Sequence, residues 1–342
     1  MKGKTKNIIV GTGFLAVAAA VTAGISYVIT TTLVQEALDR NEPEVMKKAK
    51  TRITGTFKET PEYAKALEAA KELEAREHER VEIEGRDGTK LVGHWFNRSS
   101  CERIIIAMHG WRSTWSWDFG AVADFLFENN CSVLFAEQRG QGESGGGYMG
   151  FGMTERYDCA DWAEWANRKS GSSLPIYLIG VSMGATTVLM ASGLELPENV
   201  HGIIADCGFT SAKAIWKHVC EDNMHISYAV RQKVIDDLCS QKIQYRADEY
   251  STLTALQSNT RPVLFIHGSD DTFVPVTMTY ENYKACLAPK ELLIVPGAEH
   301  GLSYFIEQEK YESTVKEFWR KYDGYKPAVQ TKSESDNESD NV

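Results

Sequence analysis

Six short hydrophobic runs recur through the central and later parts of the chain, and longer polar or helix-forming stretches separate them. The runs cover 104–108, 133–136, 176–179, 202–205, 263–266 and 292–295. Nearly continuous apolar runs are typical of strands buried on both faces of a parallel sheet. Because helical stretches alternate with them, the pattern predicts an α/β fold with a mostly parallel central sheet flanked by helices.

A different pattern precedes these runs. Residues 81–84 alternate between apolar and charged side chains, Asp87-Gly88 favours a turn, and residues 90–96 form a second apolar stretch. This pattern predicts a β-hairpin at the start of the main domain. Later, the alternation of strands and helices stops between Phe209 and Pro262, where amphipathic helical segments take over. We interpret about 211–260 as a helical lid insertion; a peripheral helical decoration is the alternative.

The N-terminal part of the chain has a long uncharged run. Residues 7–35 carry no charge, and residues 8–34 are mostly apolar. About 20 such residues suffice to cross a bilayer, so the run predicts an N-terminal transmembrane helix. A cleaved secretory signal is one alternative, because Ala16-Val17-Ala18 fits a cleavage site, but the apolar run continues well beyond that point. A buried core helix is the other alternative, and the run is long for one.

The charges beside this run bear on its orientation. Three lysines precede it (Lys2, Lys4 and Lys6), which favours a cytoplasmic N-terminus and an extracytoplasmic catalytic domain. Several basic residues, beginning with Arg40, follow the run and favour the opposite orientation. The expected location is therefore a single-pass membrane anchor with the domain outside, and a chain that begins near Glu36 is expected to be soluble and active.

Composition excludes some functions. The chain has 342 residues and a formal net charge of −10, which argues against nucleic acid as a partner because phosphate binding needs a basic surface. The seven cysteines fit neither paired zinc ligands nor a small disulfide framework, so mostly buried free thiols are expected. No H-E-x-x-H or phosphate-loop signature appears, and no cofactor or metal is predicted.

The most informative motif is Gly180-Val181-Ser182-Met183-Gly184. It follows the apolar run 176–179 and precedes a helix-forming stretch, which is the strand, sharp turn and helix of a nucleophile elbow. Glycine is favoured on either side of the serine because the strand and helix backbones pass close together there. Ser182 is therefore the predicted nucleophile.

A serine nucleophile needs a general base and a group that orients the base. His300 lies in the loop after the apolar run 292–295, and Asp271 lies in the loop after the run 263–266. In parallel sheets, functional groups lie just beyond the carboxyl ends of strands, so these loops are expected near Ser182. Asp206, at the end of the run 202–205, is the rival acid. His109 and His267 are expected to be structural.

These motifs together resemble the α/β-hydrolase superfamily, and specifically bacterial serine hydrolases of the serine aminopeptidase and lysophospholipase type, some of them membrane-anchored. Besides Ser182 and His300, the matching segments are His109-Gly110-Trp111, 139–144 and 268–275. The resemblance implies a Ser182–Asp271–His300 triad and an oxyanion hole formed by the backbone N–H groups of Trp111 and Met183. Glu137 departs from the family pattern, which has aspartate at that position.

Together with this resemblance, the sequence pattern predicts four units along the chain. The expected units are an N-terminal membrane anchor (1–35), a helical linker (36–80), an α/β-hydrolase domain (81–325) that contains the lid insertion, and a disordered acidic tail (326–342).

The expected activity is that of a serine hydrolase that cleaves small-molecule acyl esters through an acyl-enzyme. Acyl thioesters and peptides use the same machinery and remain open, as does a catalytically silent membrane-bound binding module. Aromatic and apolar residues that follow two of the motifs are candidates for an acyl pocket. They are Trp111, Trp115, Trp117, Tyr148, Met149 and Phe151.

Overall fold

The computed structural model describes residues 24–47, 61–171 and 173–325. Within these residues, the strands are β1 (Glu79–Glu84), β2 (Lys90–Phe96), β3 (Arg103–Met108), β4 (Cys131–Glu137), β5 (Ile176–Val181), β6 (Val200–Asp206), β7 (Val263–Gly268) and β8 (Lys290–Val295). They form one sheet in the order β1-β2-β4-β3-β5-β6-β7-β8. The pairs β1–β2 and β2–β4 are antiparallel, and the later neighbours are parallel.

The described helices lie before, between and after these strands. They are α1 (24–38), α2 (44–47), α3 (Pro61–Ala75), α4 (Trp115–Glu128), α5 (Glu155–Lys169), α6 (Met183–Ala191), α7 (Ala212–His218), α8 (Gln232–Ile243), α9 (Thr252–Ser258), α10 (Val276–Ala285), α11 (Ser303–Ile306) and α12 (Gln308–Tyr322).

The sheet is buried on both faces, as the uninterrupted apolar runs predict. Along β3, Ile104 and Ile106 belong to one core cluster, whereas Ile105 and Ala107 belong to a second cluster on the opposite face. This alternation is the two-residue period of a strand. The predicted hairpin and all six predicted strands are confirmed, with ends that differ by a few residues. The expected burial on both faces does not hold for β8, because it is an edge strand whose Leu292 is 37% exposed.

The predicted insertion is helical. It contains α7, a π-helical turn over Val219–Asn223, α8 and α9. Side chains from α7, the π-helical turn and α8 form a third core cluster together with Met183 and Phe151. The insertion therefore packs over the edge of the sheet where Ser182 lies.

The N-terminal region is where the structure adds most to the sequence interpretation. Among the helices in the described residues, none is long and apolar enough to cross a membrane. Residues 1–23, which make up most of the predicted anchor, lie outside the described residues, as do 48–60 and the predicted tail from 326. The described end of the uncharged run belongs to α1, whose Val34 and Leu38 are buried in the cluster that contains Met183.

The expectation for the cysteines is confirmed. All seven thiols are free; six are buried and Cys101 is partly exposed.

Candidate active site

Ser182 occupies the sharp turn between β5 and α6. Its backbone has φ 56° and ψ −117°, a conformation that L-residues rarely adopt and that often marks a functional site. The flanking glycines are required by space. A Cβ atom on Gly184 would lie 1.8 Å from the carbonyl oxygen of Met108, and one on Gly180 would lie 2.2 Å from that of Gly184. The predicted nucleophile elbow is therefore present, with its serine raised at the carboxyl edge of the sheet.

The structure brings Ser182, His300 and Asp271 into one hydrogen-bonded series. His300 Nε2 lies 2.9 Å from Ser182 Oγ, and His300 Nδ1 lies 2.7 Å from Asp271 Oδ2. The other carboxylate oxygen, Oδ1, accepts hydrogen bonds from the backbone amides of Phe273 and Val274 at 2.9 and 2.8 Å. An ionised Asp271 requires His300 to donate from Nδ1, which leaves Nε2 free to accept the proton of the serine hydroxyl.

The environment of Asp271 favours its ionised form. Its side chain is fully buried, and burial alone would raise its pKa, but the hydrogen bonds from His267 and His300 hold the pKa well below its ordinary value. Asp271 is therefore a fixed negative charge behind the imidazole of His300.

Asp206, the rival acid, takes a different position. Its carboxylate accepts a hydrogen bond from Ser303 Oγ at 3.2 Å, and its backbone carbonyl accepts one from the amide of Ser182 at 2.8 Å. Burial raises the pKa of Asp206 to about 6. Asp206 thus supports the elbow, whereas Asp271 is the carboxylate that contacts His300.

His267 is closer to the site than the sequence suggested. Its Nε2 lies 3.1 Å from Asp271 Oδ2 and 2.9 Å from the carbonyl oxygen of Val274, and its Nδ1 lies 2.6 Å from Thr279 Oγ1. Because both neighbours of Nε2 are acceptors, this nitrogen carries the proton and Nδ1 accepts from the threonine hydroxyl. The expectation that His267 bonds loop backbone holds, but it also holds the acid in place.

The loop after β3 lies directly beside the nucleophile. A Cβ atom on Gly110 would lie only 3.3 Å from Ser182 Cβ. The amide of Gly110 donates to Asp118 Oδ2 at 2.6 Å, and Ser113 Oγ donates to Asp118 Oδ1 at 2.6 Å. Asp118, which the sequence analysis did not single out, therefore fixes this loop and with it the predicted oxyanion residue Trp111.

The second predicted oxyanion residue is at a helix start. Met183 is the first residue of α6 and follows the nucleophile directly. The first N–H groups of a helix have no partner within the helix, and they carry partial positive charge. Trp111 and Met183 thus lie on the two chain segments that meet at Ser182, where the oxyanion hole is predicted.

An apolar cavity of about 200 Å³ opens beside Ser182. Its wall comes from α1, the loops after β3, β4 and β6, the lid insertion and the loop after β7. The lining residues are Thr30, Leu33, Val34, Glu36, Ala37, Met46, Trp111, Phe151, Ser182, Phe209, Ile215, Trp216, Val219, Cys220, Met224, Arg231, Ile235 and Phe273. The cavity has the shape and chemistry of a small-molecule site with few polar groups.

The candidate pocket residues divide between site and core. Trp111 and Phe151 line the cavity. Trp115 stacks on His94 within the core, and Trp117 packs against Tyr63. Met149 and Tyr148 are absent from the lining, the first being fully buried and the second lying on the surface beneath Lys242. A strand-end position alone did not reveal which aromatic side chains turn toward the nucleophile.

One group of potential metal ligands occurs in the described part of the chain. Cys207, Asp271 and His300 each offer a ligand atom, and these atoms lie within 4.8 Å of one another. Burial raises the pKa of the Cys207 thiol well above its ordinary value, which favours the protonated form over the thiolate that binds metals. Two of the three residues already bond each other in the series from Ser182, so the group does not form a dedicated metal site.

Comparison with known proteins agrees with this fold. The family model described as serine aminopeptidase, S33, matches residues 99–238, a range that includes Ser182 but ends before Asp271 and His300. The fold also matches solved structures. The Pyrococcus furiosus esterase Pf2001 superposes with a TM-score of 0.61 at 23% identity, over 74% of this chain and 94% of the esterase. The chain has the α/β-hydrolase fold.

Two further proteins extend the comparison. A second crystal form of Pf2001 gives a TM-score of 0.59 at 26% identity, over 74% of this chain and 96% of the esterase. The Bacillus subtilis protein YqkD is 31% identical over 197 residues, which are 55% of this chain and 61% of YqkD. The match thus spans less than two thirds of YqkD.

Proposed function

We propose that this α/β-hydrolase is a serine esterase that cleaves acyl esters through an acyl-enzyme. Ser182 attacks the ester carbonyl while His300 takes its proton, and the fixed charge of Asp271 stabilises the imidazolium that forms. The amides of Trp111 and Met183 bind the oxyanion. His300 then protonates the leaving alcohol and activates the water that releases the acid. The observation that carries the proposal is the series Ser182 Oγ–His300–Asp271, with distances of 2.9 and 2.7 Å, beside an apolar cavity.

The lining of the cavity supports esters over aminoacyl amides. An aminopeptidase must bind a substrate ammonium group, which needs an uncompensated carboxylate. Glu36 is the acidic residue in the lining, and its Oε1 lies 3.4 Å from Nε of Arg112, so its charge is already opposed. Acyl thioesters would fit the same apolar wall. The likeness to Pf2001, which is an esterase, adds support for ester chemistry.

A panel of substrates tests the proposal. We expect Ser182→Ala to lower kcat on the order of 10⁶-fold and to abolish labelling by a fluorophosphonate, with no change in thermal unfolding. Nitrophenyl esters, acyl-CoA thioesters and aminoacyl nitroanilides would be compared by kcat/KM. Anilides as the best substrates would identify a peptidase. No turnover together with no labelling of Ser182 would identify a silent binding module.

We also propose that the N-terminal segment anchors the enzyme in a membrane with the catalytic domain outside the cytoplasm. The support is the uncharged sequence that precedes α1, residues 7–23, and the lysines before it. The full-length protein should stay with membranes after a high-salt wash, and added protease should digest the domain in intact cells. A mature protein beginning near Val21 would indicate a cleaved signal instead, and a domain protected until lysis would reverse the orientation.

A further inference from the structure

We infer that α1 forms one wall of the acyl site and sets the longest acyl chain the enzyme accepts, with Leu33, Val34 and Ala37 as specificity-determining residues. The inference rests on the proposed function, which places an acyl chain in the cavity beside Ser182. The structure supports the role of α1 as a wall, because these three side chains line the same cavity as Ser182. Their part of the chain precedes the α/β-hydrolase domain as the sequence delimits it.

The end of α1 is fastened to the catalytic domain through its backbone. The last carbonyl groups of a helix lack partners within it. Here the carbonyl of Glu36 accepts from Arg112 Nη2 at 2.7 Å, that of Ala37 accepts from Trp111 Nε1 at 2.9 Å, and that of Leu38 accepts from the amide of Met149 at 2.7 Å. The helix end therefore depends on the domain for its hydrogen bonds, which is not how a detached spacer would behave.

The residues after the helix extend this attachment. Asp39 forms an ion pair with Lys242 of the lid insertion at 2.7 Å. The amide of Arg40 donates to the carbonyl of Gly147 at 2.9 Å, and its guanidinium donates to that of Ser144 at 2.6 Å. Three parts of the domain thus hold the segment: the loop after β3, the loop after β4, and α8.

The attachment links the wall to the reacting atoms. Trp111 is the proposed oxyanion residue, its indole bonds the Ala37 carbonyl, and its side chain lines the cavity. Arg112, the next residue, has φ 50° and binds the carbonyls of both Glu36 and Asp39. These contacts fix the position of α1 relative to the loop beside Ser182. The distance from Ser182 to α1 is therefore constant, and it sets the space available to the acyl chain.

The two faces of α1 provide a matched pair of substitutions. Val34 is buried and lines the cavity, whereas Val28 is 63% exposed and is absent from the lining. Val34→Ala and Val28→Ala remove the same atoms from the same helix. Ala37→Leu makes the opposite change by adding bulk to the wall, and it keeps the test available if Val34→Ala folds poorly.

The test measures kcat/KM of the full-length chain for nitrophenyl esters with straight acyl chains of increasing length. Each methylene that the cavity buries is expected to raise kcat/KM about fourfold above that of the next shorter ester. Val34→Ala and Leu33→Ala should move the optimum to longer chains, and Ala37→Leu should move it to shorter chains with at least a tenfold loss on the ester that the unaltered chain prefers. Val28→Ala should keep the original profile.

A second measurement separates this inference from the proposed function. If no ester is turned over, the rate at which alkyl fluorophosphonates of increasing length label Ser182 replaces kcat/KM. If Ser182 is also unreactive, the proposed function fails, and calorimetric binding of straight-chain fatty acids still reports on the wall. In each case, the inference is supported if Val34→Ala and Ala37→Leu prefer a different chain length from the control Val28→Ala. It is overturned if both of them prefer the same chain length as that control.

Discussion

His267 Nε2 lies 3.1 Å from Asp271 Oδ2, the same carboxylate oxygen that lies 2.7 Å from Nδ1 of His300. One oxygen therefore receives two imidazole donors, while two backbone amides hold the other oxygen. All four interactions favour the ionised carboxylate, which accounts for its lowered pKa despite complete burial. The acid is held from both sides and cannot turn away from His300 without losing several hydrogen bonds.

The first prediction concerns the identity of the acid. Asp271→Asn should lower kcat about 10⁴-fold, because an amide facing Nδ1 favours the wrong tautomer of His300. Asp206→Asn should have a far smaller effect, since Asp206 bonds Ser303 and not the imidazole. Steady-state kinetics on one ester gives the ranking, with His300→Ala as the reference for complete loss of the base. A larger loss in Asp206→Asn than in Asp271→Asn would move the acid to Asp206.

The second prediction concerns His267 as a positioning residue. A hydrogen bond to a charged group contributes about 1.5–3 kcal/mol, so its removal in His267→Leu should lower kcat about 10- to 100-fold. His267→Gln keeps an N–H donor and should recover part of this loss. KM should change little, because His267 does not line the cavity. An unchanged kcat in His267→Leu would show that the hydrogen bond to Asp271 has no effect on catalysis.

The sequence was a good guide wherever the signal was local. Buried parallel strands must be apolar on both faces, so the run 104–108 identified β3 without knowledge of its neighbours. The elbow was equally readable, because Gly180 and Gly184 are the residues that the contact between strand and helix allows. Asp271 and His300 followed from their places after β7 and β8, where the topology brings loops together.

What the sequence did not reveal depends on contacts between distant segments. The role of His267 required the distance to Asp271 across a folded loop. Likewise, apolar residues such as Leu33 and Val34 look the same in sequence whether they face lipid or an enzyme pocket. The uncharged run therefore did not reveal that its end lines the cavity. The structure changes one expectation directly: a chain that begins near Glu36 would lack Leu33 and Val34 from the cavity, so we now expect its acyl preference to differ from that of the full chain.

The third prediction concerns the elbow glycines. Gly184→Ala places a methyl group 1.8 Å from the Met108 carbonyl, and backbone atoms there cannot move away without disturbing β3 and α6. The free energy of unfolding of this variant should be lower by several kcal/mol, so that the variant unfolds at a lower denaturant concentration. It should also lose activity. Gly147→Ala is the control, because a Cβ atom there meets nothing within 4 Å. Equal midpoints for the two variants in chemical denaturation would contradict the close approach of the two backbones.

The fourth prediction concerns the pH dependence of stability at Asp206. Burial raises the pKa of this carboxyl from 3.8 to about 6, so the folded protein binds more protons than the unfolded chain between these values. Its contribution to the free energy of unfolding therefore falls as pH rises from about 4 to 6 and stays low above that. Asp206→Asn, which does not titrate, should gain stability relative to the unaltered chain over this range, by roughly 3 kcal/mol in all. Denaturant unfolding at several pH values measures this, with the exposed Asp270→Asn as control; parallel curves for Asp206→Asn and the unaltered chain would contradict it.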